Sequence, residues 1–112
     1  MTNLELDRAN TINEMQRHAN FLRSLPAERP GAGRLAGRIL LRPDDYIADL
    51  DAAIKALGES EWPAPGSPLE RTLLKWIGEN NRAADMPGQD PMGRGLHHRI
   101  AACAVRILER AE

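Results

Sequence analysis

Residues 67–84, SPLERTLLKWIGENNRAA, decide how the chain is read. Ser67 offers a side-chain acceptor, Pro68 carries the fixed φ of a first helical position, and Glu70 follows the serine by three residues. Together they mark a helix N-terminus: the serine oxygen satisfies an otherwise unpaired backbone N–H, and the glutamate reaches back toward the cap. Beyond it, Leu69, Leu73, Trp76, Ile77 and Ala84 recur at the spacing that gathers side chains on one broad helical face. Gly78 sits within this run and costs about 1 kcal/mol relative to alanine. The stretch predicts a capped amphipathic helix whose Trp76 is buried against the helix that follows.

Three further helices are expected. Ile12, Met15, Ala19 and Leu22 form one apolar stripe, predicting a first helix from about Leu4 to Leu25, where Pro26 pushes its predecessor out of the helical region. A second helix is predicted from Pro43 to Leu57, with Asp44 and Asp45 at the positive end of the helix dipole, a stripe of Ile47, Leu50, Ile54 and Leu57, and Gly58 as its stop. Residues 58–68, GESEWPAPGSP, read as a semi-rigid connector whose Trp62 folds back onto the helices. Residues 86–95, MPGQDPMGRG, read as a second loop. The last helix is then expected from Leu96 to Ala111, with Leu96, Ile100, Cys103, Ile107 and Ala111 in one stripe, widened by Ala104 and Leu108.

Composition agrees with this all-α reading. Sixteen Ala and fourteen Leu stand against one Val, seven Ile, three Thr and four aromatic residues. Ala and Leu lose little freedom in helices, whereas strands favour β-branched and aromatic side chains. With 112 residues, the chain is the size of one domain, too short for a two-domain enzyme or a β/α barrel. The expectation is a single helical domain over residues 1–112: a small four-helix bundle or an orthogonal helical array, with a Gly/Arg-rich loop between the first two helices. Within that loop, residues 31–42 are readable either as a short helix or as an extended segment. A leftover apolar face would allow a homodimer.

One cysteine, Cys103, excludes an intrachain disulfide and suits a reducing, cytoplasmic setting. MTNLELDRAN has no basic segment leading into an apolar run, and no apolar stretch approaches the roughly 18 residues of a membrane span, so neither a secretory leader nor membrane insertion is expected.

Motifs for chemistry are sparse. Gly31, Gly33 and Ala36 match G-x-G-x-x-A, and Asp51 follows Gly31 by twenty residues, but a dinucleotide site needs a strand before the glycines, and here a helix and a polar loop precede them. His97 and His98 are adjacent and point about 100° apart on a helix, so they cannot chelate one metal as an i, i+4 pair can. Cys103 lies on an apolar stripe, as a buried thiol would. No cofactor, metal or catalytic residue is expected, and the chain reads as non-enzymatic.

Charge is uneven although the total is −1. Residues 1–42 sum to +3, residues 43–81 to −5 and residues 82–112 to +1. Arg23, Arg29, Arg34, Arg38 and Arg42 are offset locally by Glu28 alone. They could follow a phosphate backbone, or pair with the acidic second helix. In that helix, Asp51 and Lys55 are four apart and suited to an ion pair.

Two readings of function follow. The first is a helical protein–protein interaction module, such as an adaptor, inhibitor or regulatory accessory protein. Its partner would contact Trp62 and the polar cluster of Asn81, Arg82, Asp85, Arg94, His97 and His98, around the loop between the last two helices. The second is a small nucleic-acid-associated accessory protein using Arg29, Arg34, Arg38 and Arg42.

Overall fold

The protein, a computed structural model describing residues 2–25, 43–88 and 90–110, is all-helical across those residues. Its elements are α1 (Asn3–Arg23), α2 (Asp44–Gly58), α3 (Pro68–Ala84) and α4 (Pro91–Glu109). Backbones pack in the pairs α1·α2, α2·α3, α3·α4 and α1·α4, while the diagonal pairs stay apart. Side-chain links fix the directions. Arg8 near the start of α1 donates to the Leu57 carbonyl at the end of α2 (2.6 Å), and Asn80 late in α3 meets His97 early in α4 (3.0 Å). Asp7 near the start of α1 pairs with Arg106 near the end of α4. Of the two architectures left open by the sequence, the chain adopts the up-down-up-down four-helix bundle.

Local chemistry sets most helix boundaries, and several differ from expectation; α2, for one, starts at Asp44, with Pro43 as its N-cap rather than its first helical residue. α1 begins at Asn3 because Thr2 and Glu5 form a complete capping box, each side chain bonded to the other's backbone N–H at 3.1 Å. It ends at Arg23, with Ser24 as C-cap rather than Leu25 as last residue. α2 runs one residue past Leu57, and Gly58 is not its stop. The left-handed residue is Ser60 (φ 62°): Glu61 N–H donates to Ala56 and Ser60 N–H to Leu57, closing a Schellman motif without glycine. α4 starts five residues earlier than expected. Asp90 caps it, accepting from Gly93 N–H at 2.6 Å, and Pro91 takes the first turn, so Gly93 and Gly95 are helical. At α3, Ser67 caps Glu70 N–H as expected, but the Glu70 carboxylate reaches back to Gly66 N–H rather than to the cap itself. Ala111 and the Gly/Arg-rich loop of residues 26–42 lie outside the described residues.

Met15, Leu50, Leu57, Leu73 and Ile107 are the largest fully buried apolar side chains, so every helix contributes to the core. Ala19, Ala53 and Ala104 are buried beside them and let neighbouring backbones approach. Trp76 is buried as expected. Its ring meets His18 from the diagonal helix α1, with centroids 5.6 Å apart. α4 departs most from its predicted stripe: Ala101, Ala104 and Ile107 are buried, Ile100, Cys103 and Leu108 only partly, and Leu96 is exposed. Among the described residues, no helix is long and apolar enough to cross a membrane.

Candidate functional site: the groove between α1 and α4

The apolar face of α1 follows the series Leu4, Arg8, Thr11, Met15, Ala19 and Leu22, with Asp7 buried beside it. Three of these seven buried positions are polar, and each has a structural consequence. Arg8 bonds the Leu57 carbonyl and places its guanidinium 4.9 Å from the Trp62 ring centroid. Asp7 accepts two bonds from Arg106, Nε to Oδ2 and Nη2 to Oδ1, both at 2.8 Å. Thr11 buries its hydroxyl with no hydrogen-bond partner among the described residues.

Asp7 and Thr11 lie in the floor of an open groove of about 770 Å³ between α1 and α4. Leu6 on one lip and Leu96 on the other are each 45% exposed. Ile100 and Cys103 continue the apolar wall on α4, and Asn3, Asn10 and Asn13 line the α1 side. The Arg106 hydrogen bonds hold the Asp7 carboxyl below its usual range against the opposing effect of burial, with the Cys103 thiol assisting. Burial and the Asp7 carboxylate push the Cys103 thiol up, so it favours the protonated form. It is half-buried in the groove wall and bonded to Arg106 Nη2 at 3.4 Å, rather than buried in the stripe as its sequence position implied.

The sequence-derived candidates do not form one site. Trp62 is half-buried at the bundle end formed by the start of α1 and the close of α4, with Arg8 and Arg110 guanidiniums 4.9 and 5.1 Å from its ring centroid. Asn81, Arg82, Asp85, Arg94, His97 and His98 belong to the opposite end. There Asp85 caps the C-terminus of α3, Arg82 pairs with Glu79 at 3.6 Å, and Arg94 and His98 are exposed on α4. Asn81 is partly buried. His97 is held by Asn80: Asn80 Nδ2 donates to the Trp76 carbonyl, which turns Oδ1 toward His97 and makes Nδ1 of that ring the donor. Arg29, Arg34, Arg38 and Arg42 lie outside the described residues, as do Gly31, Gly33 and Ala36. Arg23 pairs with Asp51 of α2 in place of the expected Asp51–Lys55 pair. Among the described residues, no three His, Cys, Asp or Glu side chains converge to hold a metal ion.

Sequence reading missed the groove because its parts lie 99 residues apart. One signal was present: polar residues at positions 7, 8 and 11, within an otherwise apolar face of α1. Buried polar side chains demand partners, and Asp7 takes its partner from the far end of the chain.

Across the bundle, His18 stands among the rings of Phe21, Tyr46 and Trp76. Burial lowers its pKa, nearby Glu79 opposes this, and His97 adds to it. Burial raises the Tyr46 phenol, and Glu79 and Asp49 reinforce the shift. The His18 shift predicts acid destabilisation. The folded state prefers the neutral ring, so the unfolded chain binds the extra proton first, from about pH 6.5 downward. Stability is complete above that value and is lost as pH falls toward the depressed folded pKa. Thermal midpoints should begin to drop as pH falls below about 6.5. His18→Phe should flatten that drop, and an unchanged drop would place its origin in another group.

Comparison with known proteins finds no match: no family model, no curated protein and no solved structure is similar to the chain.

Proposed function

We propose that this chain is a non-enzymatic protein–protein interaction module that receives a partner α-helix in the groove between α1 and α4. The observation that carries this reading is the pair of half-exposed leucines, Leu6 and Leu96, on opposite lips of a trough with a polar, buried floor. The trough follows α1 from Asn3 to Glu14 and α4 from Leu96 to Arg106. At 1.5 Å per residue this is roughly 16 Å, the length of a three-turn helix. Two antiparallel helices with apolar lips match the helix-in-groove mode, in which residues at i, i+3, i+4 and i+7 serve as anchors. A raised Cys103 thiol is a poor nucleophile, which supports a binding role over a catalytic one. The nucleic-acid reading rests on Arg29, Arg34, Arg38 and Arg42, which lie outside the described residues.

The test is site-directed photo-cross-linking in cells of the native host, with benzoylphenylalanine in place of Leu96 or, as a control, of exposed Ala52 on the diagonal helix α2. A discrete protein adduct is expected from position 96 and not from position 52, with the cross-link mapped to a helical segment of the partner. Leu6→Asp on the facing lip should abolish it without loss of fold, because Leu6 is 45% exposed. Equal adducts from both positions, or an adduct indifferent to Leu6→Asp, would overturn the reading.

A further inference from the structure

We infer that the helix received by the groove is an acidic amphipathic helix, carrying carboxylates along the edge that lies against α4. This rests on the helix-receiving reading above and adds the chemistry of the partner. The two lips of the groove differ in charge. On α4, Arg99 and Arg106 both line the groove and are seven residues apart, two helical turns on one face. Arg106 commits Nε and Nη2 to Asp7 and leaves Nη1, on a side chain 44% exposed, directed away from that pair. Arg99 is exposed and has no partner among the described residues. On α1, the polar residues beside Leu6 on the lip are the neutral amides Asn3, Asn10 and Asn13 and Glu14, which is held by Arg17 at 3.4 Å, while the Asp7 carboxylate in the floor is already bonded to Arg106.

An apolar stripe set between Leu6, Leu96 and Ile100 fixes the rotation of a bound helix, so one edge must face the two arginines. Carboxylates two turns apart on that edge meet both guanidiniums, and Arg pairs with carboxylate through its planar fork of donors. A lysine-rich edge in the same position places like charges together at both contacts.

Three stapled 16-residue helices test this. They share a leucine stripe at i, i+4 and i+7 and carry Glu, Gln or Lys at two edge positions seven apart. Binding to the full chain is read by fluorescence anisotropy at low and at high salt. The Glu peptide should bind about ten-fold tighter than the Gln peptide at low salt, with the Lys peptide weakest, and the gap should close as salt screens exposed charge. Arg99→Gln should narrow the gap between the Glu and Lys peptides, and Arg99→Glu should close it, because Arg106 remains at the second contact. Leu6→Asp should abolish binding of all three. Equal binding of the Glu and Gln peptides, both lost in Leu6→Asp, would overturn the acidic inference and leave the helix-receiving reading standing. Absence of binding by every peptide, or binding that survives Leu6→Asp, would overturn both. Sedimentation of the chain alone distinguishes one further occupant. A self-associated species dissolved by Arg99→Glu would mean that the groove takes the exposed acidic face of α2, bearing Asp45 and Asp49, from a second copy, and would overturn the separate-partner inference.

Discussion

Trp76→Ala is expected to lower the unfolding free energy by about 3–5 kcal/mol, the cost of truncating a large buried aromatic residue and leaving its cavity. Trp76 is 3% exposed and fills the space where α3 faces α1 across the bundle, with the His18 ring against it. A domain of this size commonly has only about 5–15 kcal/mol to lose, so the variant should unfold at much lower urea, with an unchanged dependence on denaturant. Trp76→Phe should be milder for a second reason. The Trp76 indole N–H is buried without a partner among the described residues, and leaving such a donor unpaired costs about 1–3 kcal/mol. Phenylalanine gives up contact area but removes that donor. A Trp76→Ala loss below about 1 kcal/mol would be incompatible with a tightly packed site.

The second large effect is expected at the Asp7–Arg106 pair, and it should be asymmetric. Breaking a fully buried ion pair from one side costs about 3–5 kcal/mol because the remaining charge is stranded. Asp7 is 5% exposed and has nowhere to turn, whereas the Arg106 side chain is 44% exposed and can swing into water. Arg106→Gln should therefore cost about 2 kcal/mol, discounted for that exposure, and Asp7→Asn distinctly less. The acid limb reports the same contact. Because Asp7 titrates below its usual range in the folded protein, its stabilisation is present above about pH 4 and is lost as pH falls through the depressed value. This loss sets in at lower pH than the His18 loss, which begins near pH 6.5. Stability curves of wild type, His18→Phe and Arg106→Gln against pH should separate the two, with Arg106→Gln flattening only the more acidic step.

The all-helical fold was legible because each helix carries its own periodic stripe, and α3 its own cap. The start of α4 was signalled by Asp90-Pro91, the same cap-and-proline pattern as Ser67-Pro68, but Gly93 and Gly95 masked it by lowering intrinsic helix propensity. Tertiary packing outweighs that local preference. Ser60 illustrates the reverse: the glycine rule pointed to Gly58, while the chain places a serine in the left-handed position. The candidate site was far less legible. Trp62 and the α3–α4 polar cluster drew notice through residue type, yet antiparallel packing sends them to opposite ends. Leu6, Cys103 and Arg106 are unremarkable in isolation. They acquire meaning only when residues 99 apart in the chain become neighbours.

That separation also bears on the order in which the bundle assembles. The Asn80–His97 contact spans 17 residues and the Asp7–Arg106 contact spans 99. By the logarithmic cost of closing a loop, the longer closure carries about 1.6 kcal/mol more entropy loss. Contacts between chain neighbours can zip early, whereas the α1–α4 seam closes only when both ends of the folding unit have arrived. It should be the last face to form and the first to part. The groove lies along this seam, so a helix seated there would clamp the slowest joint in the molecule, and its binding would register as slower unfolding of the whole domain as well as occupancy of a surface.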